Sequence, residues 1–146
     1  MDRRPLTDRA RADERGFSLV EILVVVLIVA VLAAIALPLY VNQRSKAQDA
    51  EAKADGAVAA QALTIWHQDH DTYDGAGIEE LARIEPEIGN APNLTITAGE
   101  DEYTITVRSR SAPSGGGPFV IEHDETGTTR TCAHPGHGGC PSGGRW

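Results

Sequence analysis

The chain has 146 residues, a formal net charge of −8 and two cysteines. That length holds one modest domain plus an appendage. The acidic balance argues against nucleic acid as a main partner, because phosphate binding needs Lys and Arg in excess. After Lys53 the cations are Arg83, Arg108, Arg110, Arg130 and Arg145, with no basic patch among them.

Apolar residues are concentrated near the front. From Phe17 to Val41 the polar residues are Ser18, Glu21 and Tyr40, and Ile22 to Leu37 shows no polar face. About 25 helical residues reach roughly 37 Å, enough to cross a hydrocarbon core of about 30 Å and longer than the apolar core of a secretory signal. Arg3, Arg4, Arg9, Arg11 and Arg15 precede this run. Orientation follows Lys and Arg and largely ignores interleaved acids, so the N-terminus is expected in the cytoplasm and the acidic remainder outside. Arg44 and Lys46 weaken that asymmetry without reversing it. The stretch LPLYVNQRS after the run has no small-x-small cleavage site.

Before the run stands Arg15-Gly16-Phe17-Ser18-Leu19-Val20-Glu21. This resembles the class III signal of type IV pilins and type II secretion pseudopilins. The resemblance implies that a membrane prepilin peptidase/N-methyltransferase cuts between Gly16 and Phe17 and methylates the new amino end at Phe17. It also implies an assembly role for Glu21, the fifth residue after the cut. Pro38 and Tyr40 fall where many pilins carry proline and tyrosine. Gly16 lets the scissile peptide approach the protease carboxylates and weakens helix ahead of the run. A lone carboxylate about one turn into lipid is costly unless protonated, snorkelling or paired. The amine created at Phe17 supplies a partner, within one copy or between neighbouring copies, and the bland alternative is a snorkelling glutamate. Pro38 lacks an N–H and clashes with the preceding turn, so a helix kink is expected there.

From Asn42 to Gln68 the chain is alanine-rich and helix-favouring. Ala47, Ala50, Ala54, Ala57, Val58, Gln61 and Ile65 recur near helical period and are read as a narrow face for a sheet. Lys46, Asp49, Glu51, Lys53 and Asp55 are assigned to solvent, and Gly56 is read as a weak point. With the apolar run this makes a helix of roughly 50 residues, about 75 Å long. A turn is expected at His70–Gly77, a short helix at Ile78–Ile84 and loop over Glu85–Asn93. Strands are expected at Leu94–Thr97, Tyr103–Ser109 and Phe119–His123, with a weaker one at Thr128–Cys132. Tyr103, Ile105 and Val107 share one face. GEDE and DETG read as hairpin connectors, and SAPSGGGP as a flexible one. The fold class is therefore α+β, a long N-terminal helix packed on a small antiparallel sheet, which matches the pilin fold in outline.

Cys132 and Cys140 bracket AHPGHGG. Outside the cytoplasm a disulfide is the favoured use, worth roughly 2–3 kcal/mol through a short loop, and it resembles the cysteine-bounded tail of many pilins. The competing reading takes Cys132, His134, His137 and Cys140 as metal ligands, but their spacing is not a familiar zinc pattern. His67 and His70, with Asp69 and Asp71 beside them, read first as a solvated helix end and second as a surface metal site. His123 has no partner legible in the sequence. Glu79 and Glu80 read as a solvated face. No catalytic arrangement and no cofactor site is expected.

These readings divide the chain into a leader at 1–16, a membrane and filament-core helix at 17–41, an amphipathic half at 42–70 and a small extracytoplasmic β-rich domain at 71–146. The resemblance implies a non-enzymatic structural subunit of a type IV pilus-like filament. Its implied partners are other copies of itself, the prepilin peptidase, an assembly ATPase with its inner-membrane platform, and the lipid bilayer before assembly. A pseudopilin of a secretion or DNA-uptake machine shares the same signal. A membrane-tethered binding module left uncut after Gly16 is the alternative from another class.

Overall fold

The computed structural model describes residues 17–91, 93–111 and 115–146, so Gly16 and the leader lie outside the described residues. Helix α1 runs Leu19–His70, α2 Ile78–Ile84 and α3 Pro86–Asn90; strands β1 Leu94–Ala98, β2 Tyr103–Val107, β3 Phe119–Asp124 and β4 Gly127–Cys132 follow. The chain divides between Leu37 and Pro38 into two compact units. This is the α+β architecture expected: a long N-terminal helix and a small antiparallel sheet.

In the first unit α1 is apolar on every side and exposed throughout. Its first turn carries Glu21, and the Ile22 amide donates to the Ser18 carbonyl at 3.2 Å. By length and composition this segment suffices to cross a membrane. Pro38 lies inside α1, as the first residue of the second unit.

In the second unit α1 has a buried face: Ser45, Asp49, Ala52, Gly56, Ala59, Ala62 and Leu63. These recur three and four apart, as one helical face must. The face differs from the one expected. Ala47, Ala50, Ala54, Gln61 and Ile65 are exposed, and Ala57 and Val58 are half-buried. Two alanine stripes share this helix, and alanine content does not distinguish them. The buried face carries Leu63 and the exposed stripe Ile65, so side-chain size does not set the rotation either. Gly56 is a contact point: a Cβ built on it would touch Ile121 Cδ1 and Val107 Cγ2 at 3.4 Å, so the helix lies directly on the sheet.

The sheet is a meander in the order β1-β2-β3-β4, all neighbours antiparallel. Ile105 stands opposite both Ile96 and Ile121. Strand alternation follows the pleat, with Tyr103, Ile105 and Val107 buried on one face of β2, as expected. Phe119 and Ile121 extend this layer on β3, and Leu81 of α2 and Ile88 of α3 close it.

β1 and β3 each run one residue past the expected end, to Ala98 and Asp124, and three further elements differ from expectation. β2 ends at Val107, because Ser109 turns its buried hydroxyl toward Ser111 at 2.7 Å. Pro86–Asn90 is helical where loop was expected; Pro86 supplies the fixed φ of a first helical position and Ile88 anchors the turn in the core. β4 is a full six-residue strand although four of its side chains face outward or edgeward, because its ladder to β3 runs from Gly127 to Cys132.

Candidate functional site

Two carboxylates on α1 frame the candidate sites. Glu21 lies in the first helical turn, four residues after Phe17, which is 77% exposed. Around it Leu19, Val20, Ile22, Leu23, Val24 and Val25 present their side chains outward. Among the described residues Glu21 makes no hydrogen bond or ion pair. The segment thus carries one acid on an all-apolar, all-exposed surface, an arrangement suited to lipid or to other apolar helices rather than to water.

The second carboxylate is Asp49, which was expected in solvent and is 0% exposed. Its Oδ1 accepts the Ser111 hydroxyl at 2.5 Å. Its Oδ2 accepts the Gly116 amide at 2.8 Å and the Gly139 amide at 2.7 Å. Burial pushes the carboxyl upward, but the amides of Gly116 and Gly139 and the hydroxyls of Ser109 and Ser111 together outweigh it and hold the acid below its ordinary range. Glycine is required in this cradle. Gly138 has φ +53°, and a Cβ there would strike Asp49 Oδ2; a Cβ on Gly115 would strike the Ser111 hydroxyl. The connector expected to be flexible is therefore, over Gly115 and Gly116, buried and bonded to the helix.

Lys53, one turn along α1, donates to the Gly139 carbonyl at 2.5 Å and lies 5.1 Å from the Phe119 ring and 5.4 Å from the Trp146 ring. It too was assigned to solvent and is half-buried. Trp146 is held by its indole N–H to the Thr131 carbonyl at 2.9 Å and stands edge-on to Phe119.

Cys132 and Cys140 are joined in a disulfide. With both sulfurs in that bond, neither is a thiolate ligand, and the four-ligand metal reading with His134 and His137 loses its anionic donors. His134 and His137 are exposed, and their backbones shape the loop: the His134 amide donates to the Gly116 carbonyl, and the Cys140 amide to the His137 carbonyl. His67 and His70 do not converge. His70 stacks on Trp66 at 3.8 Å, whereas His67 tilts against Tyr73 at 4.5 Å. His123 has partners that the sequence did not reveal: its Nδ1 lies 2.8 Å from the Thr128 hydroxyl, the residue opposite in register, and its ring stacks on Tyr103 at 5.0 Å. Among the described residues no group of three or more His, Cys, Asp or Glu is placed to hold a metal ion.

Asp49 and its cradle are what the sequence reading missed. The available signal was Asp49 standing four and seven residues from Ser45 and Gly56, on one helical face, together with two glycine runs far along the chain that could bring backbone amides close to it.

The family described as "Prokaryotic N-terminal methylation motif" matches residues 11–37. The type IV major pilin protein PilA of Myxococcus xanthus is 27% identical over 107 residues, 73% of this chain and 48% of that protein. The type II secretion system core protein G of Escherichia coli is 29% identical over 115 residues, 77% of this chain and 74% of that protein. A fimbrial protein of Neisseria meningitidis is 36% identical over 76 residues, 49% of this chain and 45% of that protein. The chain thus spans about half the length of the M. xanthus and N. meningitidis relatives. No solved structure matches the chain. The chain therefore carries a prokaryotic N-terminal methylation motif and is similar along much of its length to type IV pilins and to a type II secretion core protein.

Proposed function

We infer that this protein is a prepilin: it is cut after Gly16, N-methylated at Phe17 and polymerised into a type IV pilus-like filament. The observation that carries this reading is the position of Glu21 on an exposed apolar helix, four residues beyond Phe17. Burying one Leu, Ile or Val side chain is worth about 1.5–3 kcal/mol, so the segment belongs in lipid first and against like segments afterwards. The amine that cleavage creates at Phe17 is the charge partner a carboxylate in that setting lacks. An incoming copy that offers its amino end to the Glu21 of a neighbour neutralises both groups and fixes the axial register. The Arg-rich leader puts the amino end on the cytoplasmic side and the acidic domain outside. Work is supplied by an assembly ATPase acting through its inner-membrane platform, and this chain binds no nucleotide.

A pseudopilin is the second reading. It is supported by the match to the type II secretion system core protein G, 29% identical over 74% of that protein, and a pilus component of Thermus thermophilus matches equally well over 77% of its own length. Mass spectrometry of the mature amino end tests both together: a methylated Phe17 terminus is expected, and an intact Gly16–Phe17 bond leaves only an uncut membrane tether. Imaging surface filaments with and without the gene product then separates pilus from secretion pseudopilus.

A further inference from the structure

Asp49 is the buried ionisable group that filament assembly leaves without a role. One carboxylate bonds two segments far apart in the chain. Ser111 and Gly116 belong to the connector between β2 and β3, and Gly139 belongs to the loop closed by the disulfide. Those segments also meet directly. The His134 amide donates to the Gly116 carbonyl at 3.2 Å, the Ala133 amide donates to the Pro118 carbonyl at 3.1 Å, and a Cβ on Gly116 would collide with Cys140. Lys53 adds a second tie from α1 to Gly139. Beneath this knot Cys132 and Cys140 are 7% and 4% exposed.

Thiol–disulfide exchange needs a thiolate to reach a disulfide sulfur, so its rate depends on access. Gly116 packs against Cys140 and Gly139 is the chain neighbour of Cys140, and Asp49 holds both glycines. We propose that Asp49 is a latch on the disulfide: its hydrogen bonds to Ser111, Gly116 and Gly139 must open before an external thiol can attack Cys132 or Cys140. The exchange is conventional once the latch is open. A thiolate of an added dithiol attacks one sulfur, the S–S bond breaks and the departing cysteine takes a proton. The dithiol's second thiolate then closes its own disulfide and frees the other cysteine, which also takes a proton. The dithiol loses two electrons and the protein gains two.

The test uses the full chain in detergent micelles with dithiothreitol, and follows free thiols by alkylation and mass spectrometry. Sheet integrity is followed in parallel by amide exchange of β2 and β3. Native wild-type protein should be reduced at least about 100-fold more slowly than the same chain in denaturant. Asp49→Asn and Asp49→Ala should accelerate native reduction about 10- to 100-fold, because two or three charge-assisted bonds are lost. Ser111→Ala, which removes one donor, should accelerate it about 3- to 10-fold. Glu79→Gln, an exposed acid on α2, should leave the rate within about twofold. Wild-type protein reduced as fast in its native as in its denatured state overturns the latch. So does Asp49→Asn with a protected sheet and a wild-type rate. Should both Asp49 variants lose the sheet, Ser111→Ala decides: acceleration with a protected sheet supports the latch, and a wild-type rate overturns it.

Discussion

The two parts of α1 form one helix and meet their surroundings in opposite ways. Before Pro38 its residues are apolar apart from Glu21, and none is buried. After Pro38 the helix is mostly alanine and polar residues, yet seven positions are buried. Each part carries one acid that matters, and their placement inverts simple expectation. Glu21 stands among hydrocarbon side chains and is exposed; Asp49 stands in the hydrophilic part and is sealed. Polarity along a sequence therefore does not say where a carboxylate ends up. Its cost depends on the donors that surround it.

That contrast can be broken most severely at Glu21. Glu21→Ala should leave cleavage after Gly16 unchanged, as read from the mature mass, while filament yield falls at least about tenfold, reflecting loss of a partly desolvated charge pair. Normal filaments from this variant would remove the assembly role. Next in size is Asp49→Ala, which strands two amides and a hydroxyl at about 1–3 kcal/mol each. Denaturant unfolding in micelles should register a loss of about 3–5 kcal/mol. Leu63→Ala, in the core and 0% exposed, should cost about 2–4 kcal/mol by the same measurement.

The pH dependence sharpens the comparison further. Asp49 is held below its ordinary range, so its contribution is fully present above the unfolded value of about 3.9 and disappears as pH falls through the lower folded value. The stability gap between wild type and Asp49→Asn should stay level from neutral pH to about 4.5 and narrow below about 4. Asp55 has the opposite sign: burial, then the charges of Glu51 and Glu87, raise it against the pull of Arg110. Its contribution is present below the unfolded value and lost as pH rises through the folded one, so Asp55→Asn should raise stability slightly at neutral pH. The smallest effect is expected at Ile65, on the exposed alanine stripe, where Ile65→Ala should change stability by no more than about 0.5 kcal/mol. A larger loss would mean that this stripe is covered.

Much of the sheet was legible because alternation is a local property. Tyr103, Ile105 and Val107 announce a buried face, and GEDE and DETG mark the turns. The helix was legible as a helix, but not in its rotation. Ala47, Ala50 and Ala54 satisfy helical spacing as well as Ala52, Ala59 and Ala62 do, and side chains of equal size carry no vote on which faces inward. α3 was lost because a proline followed by a glycine three residues later reads as loop until Ile88 finds the core.

The sequence by itself determined the apolar, lipid-length run, the Arg15–Glu21 motif, the α+β order and the pairing opportunity of two close cysteines. Each of these rests on residues that are neighbours in the chain or repeat with a short period, so local physics suffices to read them. Only the tertiary structure decided which alanine stripe is buried, that His123 lies on Tyr103, and that Asp49 is enclosed by Ser111, Gly116 and Gly139. The Asp49 contacts join residues 62, 67 and 90 positions apart. A buried carboxylate is tolerable only when such distant donors arrive together, and that is a property of the folded chain.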